Sequence, residues 1–149
     1  MTEEGMKSAV INRNWILLDT CSTTSVCCNE NLEKDVRRCE KHEVLTILTN
    51  GGKQVYDQLA VMKEFSLQVH FKNDSLANII SLRELANIPG VSIMMDTSKE
   101  RAIVVKMGPY KEFKFLECPD GLYHYDTSII CENFPNLNLH LLLILILTH

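Results

Sequence analysis

The sequence lacks an apolar leader at its start, an excess of basic charge, an internal repeat and any apolar run long enough to cross a bilayer. Each absence excludes something. Residues 1–8, with Thr2, Glu3, Glu4 and Gly5, have no apolar signal-peptide core, so reducing cytosol is the expected setting and secretion is not indicated. Fifteen basic against nineteen acidic side chains leave a formal net charge of -4. That removes the positive footprint phosphate backbones require, and no direct nucleic-acid partner is expected. The densest basic run, Lys34, Arg37, Arg38 and Lys41, is interleaved with Glu33, Asp35, Glu40 and Glu43 and reads as a solvated mixed-charge face. Without a fixed period, solenoids and propellers are excluded. The apolar stretch within residues 136–149, NLNLHLLLILILTH, is too short to span a membrane, and no membrane partner is expected.

Disulfide-scaffold spacing is missing as well. Six cysteines (Cys21, Cys27, Cys28, Cys39, Cys118, Cys131) are irregularly placed in a chain of 149 residues, which is large enough to build its own core, so free thiols are expected. Cys27, Cys28, Cys39 and His42 could be drawn as zinc ligands. Adjacent cysteines lack the usual intervening loop, however, and neither a metal site nor another cofactor is expected.

What is present is the composition of one ordinary globular domain, 46% apolar and 23% charged. Trp15-Ile16-Leu17-Leu18 is a short apolar run closed by Asp19-Thr20, a buried strand ending at the acid. A charged stretch follows through His42, with room for one or two helical turns. Residues 43–49 alternate, Asn50-Gly51-Gly52 is a hairpin signal, and residues 53–56 give the return strand. Residues 65–71 and 91–95 alternate as half-buried strands, and further strands are expected at residues 102–107 and 113–116. Residues 76–82 read as a continuous buried run, followed by a short helix over residues 83–87 that Pro89-Gly90 stops. The fold class is therefore mainly β, a barrel or sandwich-like closed fold with one short helix.

The informative constellation is Leu17-Leu18-Asp19-Thr20-Cys21-Ser22, an apolar strand delivering an acid into a turn of small hydroxyl residues. It resembles the active-site motif of aspartic proteases, in which apolar residues precede Asp-Thr/Ser-Gly-Ala/Ser, and it departs from that pattern only where Cys21 replaces glycine. A second likeness lies in Leu76-Ala77-Asn78-Ile79-Ile80-Ser81-Leu82-Arg83-Glu84-Leu85, which is similar to the late strand and helix packed beside that turn. The order of the later segments, ending in Gly121-Leu122-Tyr123, also resembles the protease segment of copia-type retrotransposon polyproteins. These likenesses span about residues 12–127.

The resemblance implies a small closed β-barrel of the retropepsin-like type over residues 12–127, with an extension at residues 1–11 and a truncated or decayed tail at residues 128–149. It further implies an aspartic endopeptidase cutting its own polyprotein, with Asp19 catalytic and Thr20, Cys21 and Ser22 forming the active-site turn. Asn78, Ile79, Ile80 and Ser81 would support that turn. The flap would lie within residues 43–65, at Asn50-Gly51-Gly52 or at Leu59-Ala60-Val61, with Gly51 and Gly52 the better choice. Two carboxylates that share one proton are needed, so that one takes a proton from water while the other donates to the scissile carbonyl. The chain carries one such motif, because Met94-Met95-Asp96-Thr97-Ser98 lacks the small residues that follow the acid. A homodimer would supply the second Asp19.

Other readings remain beside this one. Asp19 could simply cap its own turn, the commoner use of Asp-Thr. The chain could be a non-catalytic retroelement remnant serving as a binding or dimerisation module, marked by Cys21 and by the absence of the integrase that an intact element carries next. A cysteine–histidine hydrolase through Cys21 or Cys118 has no local signature. His70 is expected to face solvent, and His124 has no nucleophile motif beside it.

Overall fold

A computed structural model describes residues 11–129 of the chain. The extension expected over residues 1–11 and the tail over residues 128–149 therefore fall almost wholly outside the described residues. The fold is mainly β, with one short α-helix among the described residues.

Ten strands form one sheet: β1 (Trp15–Asp19), β2 (Val26–Cys27), β3 (Glu33–Arg38), β6 (Gln58–Met62), β7 (Leu67–Phe71), β8 (Asn78–Ser81), β9 (Val91–Met95), β10 (Ala102–Met107), β11 (Lys111–Glu117) and β12 (Tyr123–Asp126). The two remaining strands, β4 (Leu45–Thr49) and β5 (Gly52–Tyr56), pair only with each other as a separate hairpin. The hydrogen-bonded order is β3-β6-β7-β2-β8-β1-β12-β11-β10-β9. Its two ends, β3 and β9, are not paired with one another, so the ladder is not closed by hydrogen bonds among the described residues.

Burial curls this sheet on itself. Ile16 and Leu18 of β1 share one buried cluster with Ile80, Val69, Phe71, Ile103, Val105, Phe113 and Phe115, and Leu17, on the other face of β1, is buried as well. Phe65, in the turn between β6 and β7, meets Phe113 with ring centroids 4.6 Å apart, and Tyr125 sits edge-on to Phe113 at 5.2 Å. One half of the ladder is thereby packed against the other. At about 1.5–3 kcal/mol for each large apolar side chain taken from water, this aromatic group is a principal source of stability.

The helix α1 (Leu82–Ala86) starts where Ser81 accepts a hydrogen bond from the Glu84 N–H at 3.2 Å. That cap sets the start one residue ahead of the expected position. Gly90, at φ +81°, turns the chain out after it, a conformation open to glycine.

Several expectations need correction. Residues 76–82 are not continuously buried, since Leu76 is 83% exposed before the strand begins at Asn78. The alternation over residues 65–71 starts too early, because Phe65 and Ser66 belong to the turn and β7 begins at Leu67. The charged stretch does hold two 3-10 turns, Glu30–Leu32 and Lys41–Glu43, but β3 lies between them.

Candidate active-site turn at Asp19

β1 lies inside the sheet, antiparallel to β12 and parallel to β8, with Asp19 opposite Ser81. Both flanking strands hold its backbone, so the carboxyl group at its end is delivered from a fixed position. Asp19 is half-buried. Its Oδ1 accepts from the Cys21 N–H at 2.9 Å, and its Oδ2 accepts from the Ser22 hydroxyl. The same two bonds satisfy the plain turn-capping use of an Asp, so local geometry is common to both readings.

The turn beyond Asp19 is fastened to β8 and α1. Ser81 donates its hydroxyl hydrogen to Ser22 O at 2.7 Å, the Ser81 N–H donates to Ser25 Oγ at 2.8 Å, and the Ser25 N–H donates to Glu84 Oε1 at 2.5 Å. Ser25 and Ser81 are fully buried. Thr20 and Cys21 are exposed on the outer side of the turn. Among the described residues the non-glycine positions with positive φ are Asp35 and Ser66, so the turn accommodates Cys21 without left-handed backbone.

Asn78 ties the strand starts together. Its Oδ1 accepts from the Cys28 N–H at 2.9 Å and the Asn29 N–H at 3.1 Å, while its Nδ2 donates to Arg13 O at 2.7 Å and Trp15 O at 2.9 Å. Ile80 is fully buried in the core, and Ile79, on the other face, is half-buried. The four residues expected as support thus line one strand directly beside β1.

The hairpin β4–β5 stands apart from the sheet, with Asn50 and Gly51 linking Thr49 to Gly52. Gly52 has φ +123°, a backbone state that side-chain-bearing residues rarely adopt. Leu59 and Ala60, the other candidate tip, are each 2% exposed inside β6, which is paired on both sides. They cannot move as a flap without breaking the sheet. His70 is half-buried, not solvent-facing: its Nε2 donates to Glu43 O at 2.8 Å, just ahead of β4. Arg37 also clamps Glu43 through both carboxylate oxygens at 2.9 Å, and that guanidinium holds the Glu43 carboxyl down at about 2.

One pairing escaped the sequence reading. Cys118 Sγ lies 3.0 Å from His124 Nδ1, across the turn between β11 and β12. The same nitrogen lies 3.0 Å from Leu116 O, and a carbonyl can only accept. Nδ1 therefore carries the hydrogen and has no lone pair for a thiol proton. Burial also pushes the Cys118 thiol up, so this pair is not an activated nucleophile. The signal that could have found it is the cross-strand spacing over Asp120-Gly121.

Asp96 is exposed beyond β9 and accepts at Oδ1 from the Ser98 N–H at 3.1 Å and the Ser98 hydroxyl at 2.5 Å. It caps its own turn. No group of three or more His, Cys, Asp or Glu side chains among the described residues is placed to hold a metal ion. Among them, too, no helix is long and apolar enough to cross a membrane. Compared with family models, curated proteins and solved structures, the chain gives no significant match.

Proposed function

We propose that the chain is a retropepsin-like aspartic endopeptidase that works as a homodimer, with its curled sheet serving as a variant of the retropepsin barrel. The observation that carries this reading is the Asp19 carboxyl group, held at the end of an interior strand by the Cys21 N–H and the Ser22 hydroxyl, with β8 alongside. Two such groups facing across a two-fold axis could not both ionise, so one would stay protonated. The ionised member takes a proton from water as that water attacks the peptide carbonyl, and the protonated member donates to the carbonyl oxygen. The β4–β5 hairpin, with Gly51 and Gly52 at its turn, is the segment that would close over a bound polypeptide.

The test is cleavage of a mixed peptide library by the full chain at acidic to neutral pH, alongside Asp19→Asn. Cleavage by the wild type that falls at least about a thousandfold in the variant is the expected result. A folded dimer that cuts nothing would overturn it.

One observation favours a second reading. Cys21 stands exposed where the resembling motif has glycine, which suits a retroelement remnant that keeps the β fold as a dimerisation or binding module. In that case the dimer persists and Asp19→Asn changes nothing but turn stability.

A further inference from the structure

Glu33 opens β3 at the foot of the ribbon that β3 makes with β6, opposite Met62. It is 5% exposed, and neither of its carboxyl oxygens has a hydrogen-bond partner. A buried carboxylate without partners is strongly unfavourable, whereas a protonated carboxyl in the same place is tolerable. The Cys27 thiol, from β2, acts on this carboxyl but gives its own hydrogen to Asn78 Oδ1 at 2.9 Å. Cys28, the residue that follows β2, is buried and feels Glu33. The remaining charged groups of the surrounding elements point elsewhere: Glu30, Lys34 and Asp35 are exposed, and the Lys63 ammonium is held on Asn31 O at 3.2 Å. No cation compensates the site.

Its position gives the burial a consequence. The segment between Arg38 and Gln58, the β4–β5 hairpin included, is joined to the rest of the chain through the β3–β6 ribbon, and is fastened besides by His70 on Glu43 O and by the Tyr56 hydroxyl on Ser75 Oγ at 2.7 Å. The ribbon's register shifts between Lys34 and Arg37, and Asp35 has φ +55°. Below that bulge the foot is closed by the Glu33–Met62 and Lys34–Val61 pairs and by the Lys63 N–H donating to Leu32 O at 3.0 Å.

We propose that Glu33 is a proton latch at the foot of this ribbon: protonated, it keeps the foot closed, and ionised, it draws water in and loosens the β3–β6 pairing that forms the stem of the hairpin. The latch stands on the ribbon alone; only its bearing on substrate access rests on the protease reading. Burial lifts the carboxyl from its ordinary 4.5 to about 7. The folded foot thus binds more protons than the opened one between those values. Closure is favoured most at acid pH, weakens as pH rises, and levels off above about 7.

The test is amide hydrogen exchange of the full chain at pH 5 and pH 8, corrected for intrinsic exchange, on wild type, Glu33→Gln and Glu33→Met. Protection over residues 33–38 and 58–63 is expected to fall roughly 10- to 100-fold in the wild type from pH 5 to pH 8, following the difference between the two titrations. In both variants, which cannot ionise, it should change less than about threefold. Wild-type protection that stays level across this range, or variants that track the wild type, would overturn the latch. The wild-type arm decides even if a variant fails to fold, and it does so whether or not the chain cleaves peptides.

Discussion

Replacing Asn78 by alanine should be among the most damaging single changes in this chain. The side chain is fully buried, and its amide serves two backbone N–H groups, of Cys28 and Asn29, and two carbonyls, of Arg13 and Trp15. Truncation takes that partner from the Cys28 and Asn29 N–H groups and from Trp15 O, while Arg13 O still accepts from Asn29 Nδ2 at 2.9 Å. A buried backbone group left unsatisfied costs about 1–3 kcal/mol, and water admitted to the small cavity offsets part of this, so the lower end, about 3 kcal/mol for the three, is the working figure. Against a typical domain stability of about 5–15 kcal/mol, that is enough to bring the fold near its limit. Asn78→Asp sharpens the test. It keeps the shape and one acceptor, but sets an oxygen with no hydrogen against Arg13 O and Trp15 O. Urea unfolding followed by the fluorescence of Trp15, the single tryptophan, reads both variants. A loss below about 1 kcal/mol in Asn78→Ala would refute the claim that this amide joins the strand starts.

His70→Ala should loosen the base of the hairpin, because it removes the bond to Glu43 O. Hydrogen exchange over residues 45–56 should speed by roughly fivefold, the equivalent of about 1 kcal/mol, with β10 and β11 unchanged; equal loss across all strands would count against a local role. Cys21→Gly keeps the backbone N–H that holds Asp19. It should stay folded, lose about 0.5–1 kcal/mol in urea titrations through the freer unfolded chain, and change cleavage less than about tenfold. A gain in cleavage beyond about a hundredfold would mean that the Cys21 side chain blocks the site.

The parts legible in the sequence are those whose state is written locally. Trp15 to Asp19, the strands either side of Asn50-Gly51, and the strands near residues 91–95, 102–107 and 113–116 carry alternation or turn signals that survive in the fold. β3 does not. Five of its six residues are exposed, it contains a bulge, and its extended state comes from pairing with β6, which no window of sequence contains. β2 has two residues and exists only because β7 and β8 flank it. The same limit hid the polar contacts. Asn78 reads as one polar residue in an apolar run, and its meaning appears only when residues 13, 15, 28 and 29 converge on it. Glu33 reads as one charge among many in a mixed run, and only the curl of the sheet buries it.

A single chain holds half of the proposed chemistry. Asp96 is exposed beyond β9 and uses its Oδ1 on the Ser98 N–H and hydroxyl, capping its own turn; in the proposed protease the second carboxylate of the pair would be Asp19 of another copy. That arrangement joins two proton-dependent elements. The dyad needs one proton between its members, and the latch at Glu33 needs its own to keep the hairpin stem closed. Both losses would lower cleavage as pH rises, yet they are separable. In Glu33→Gln the latch no longer titrates, and whatever decline remains at high pH belongs to the Asp19 pair. A wild-type decline that coincides with that of Glu33→Gln would place the whole pH dependence of cleavage at the dyad, while hydrogen exchange at the stem would still report the latch on its own.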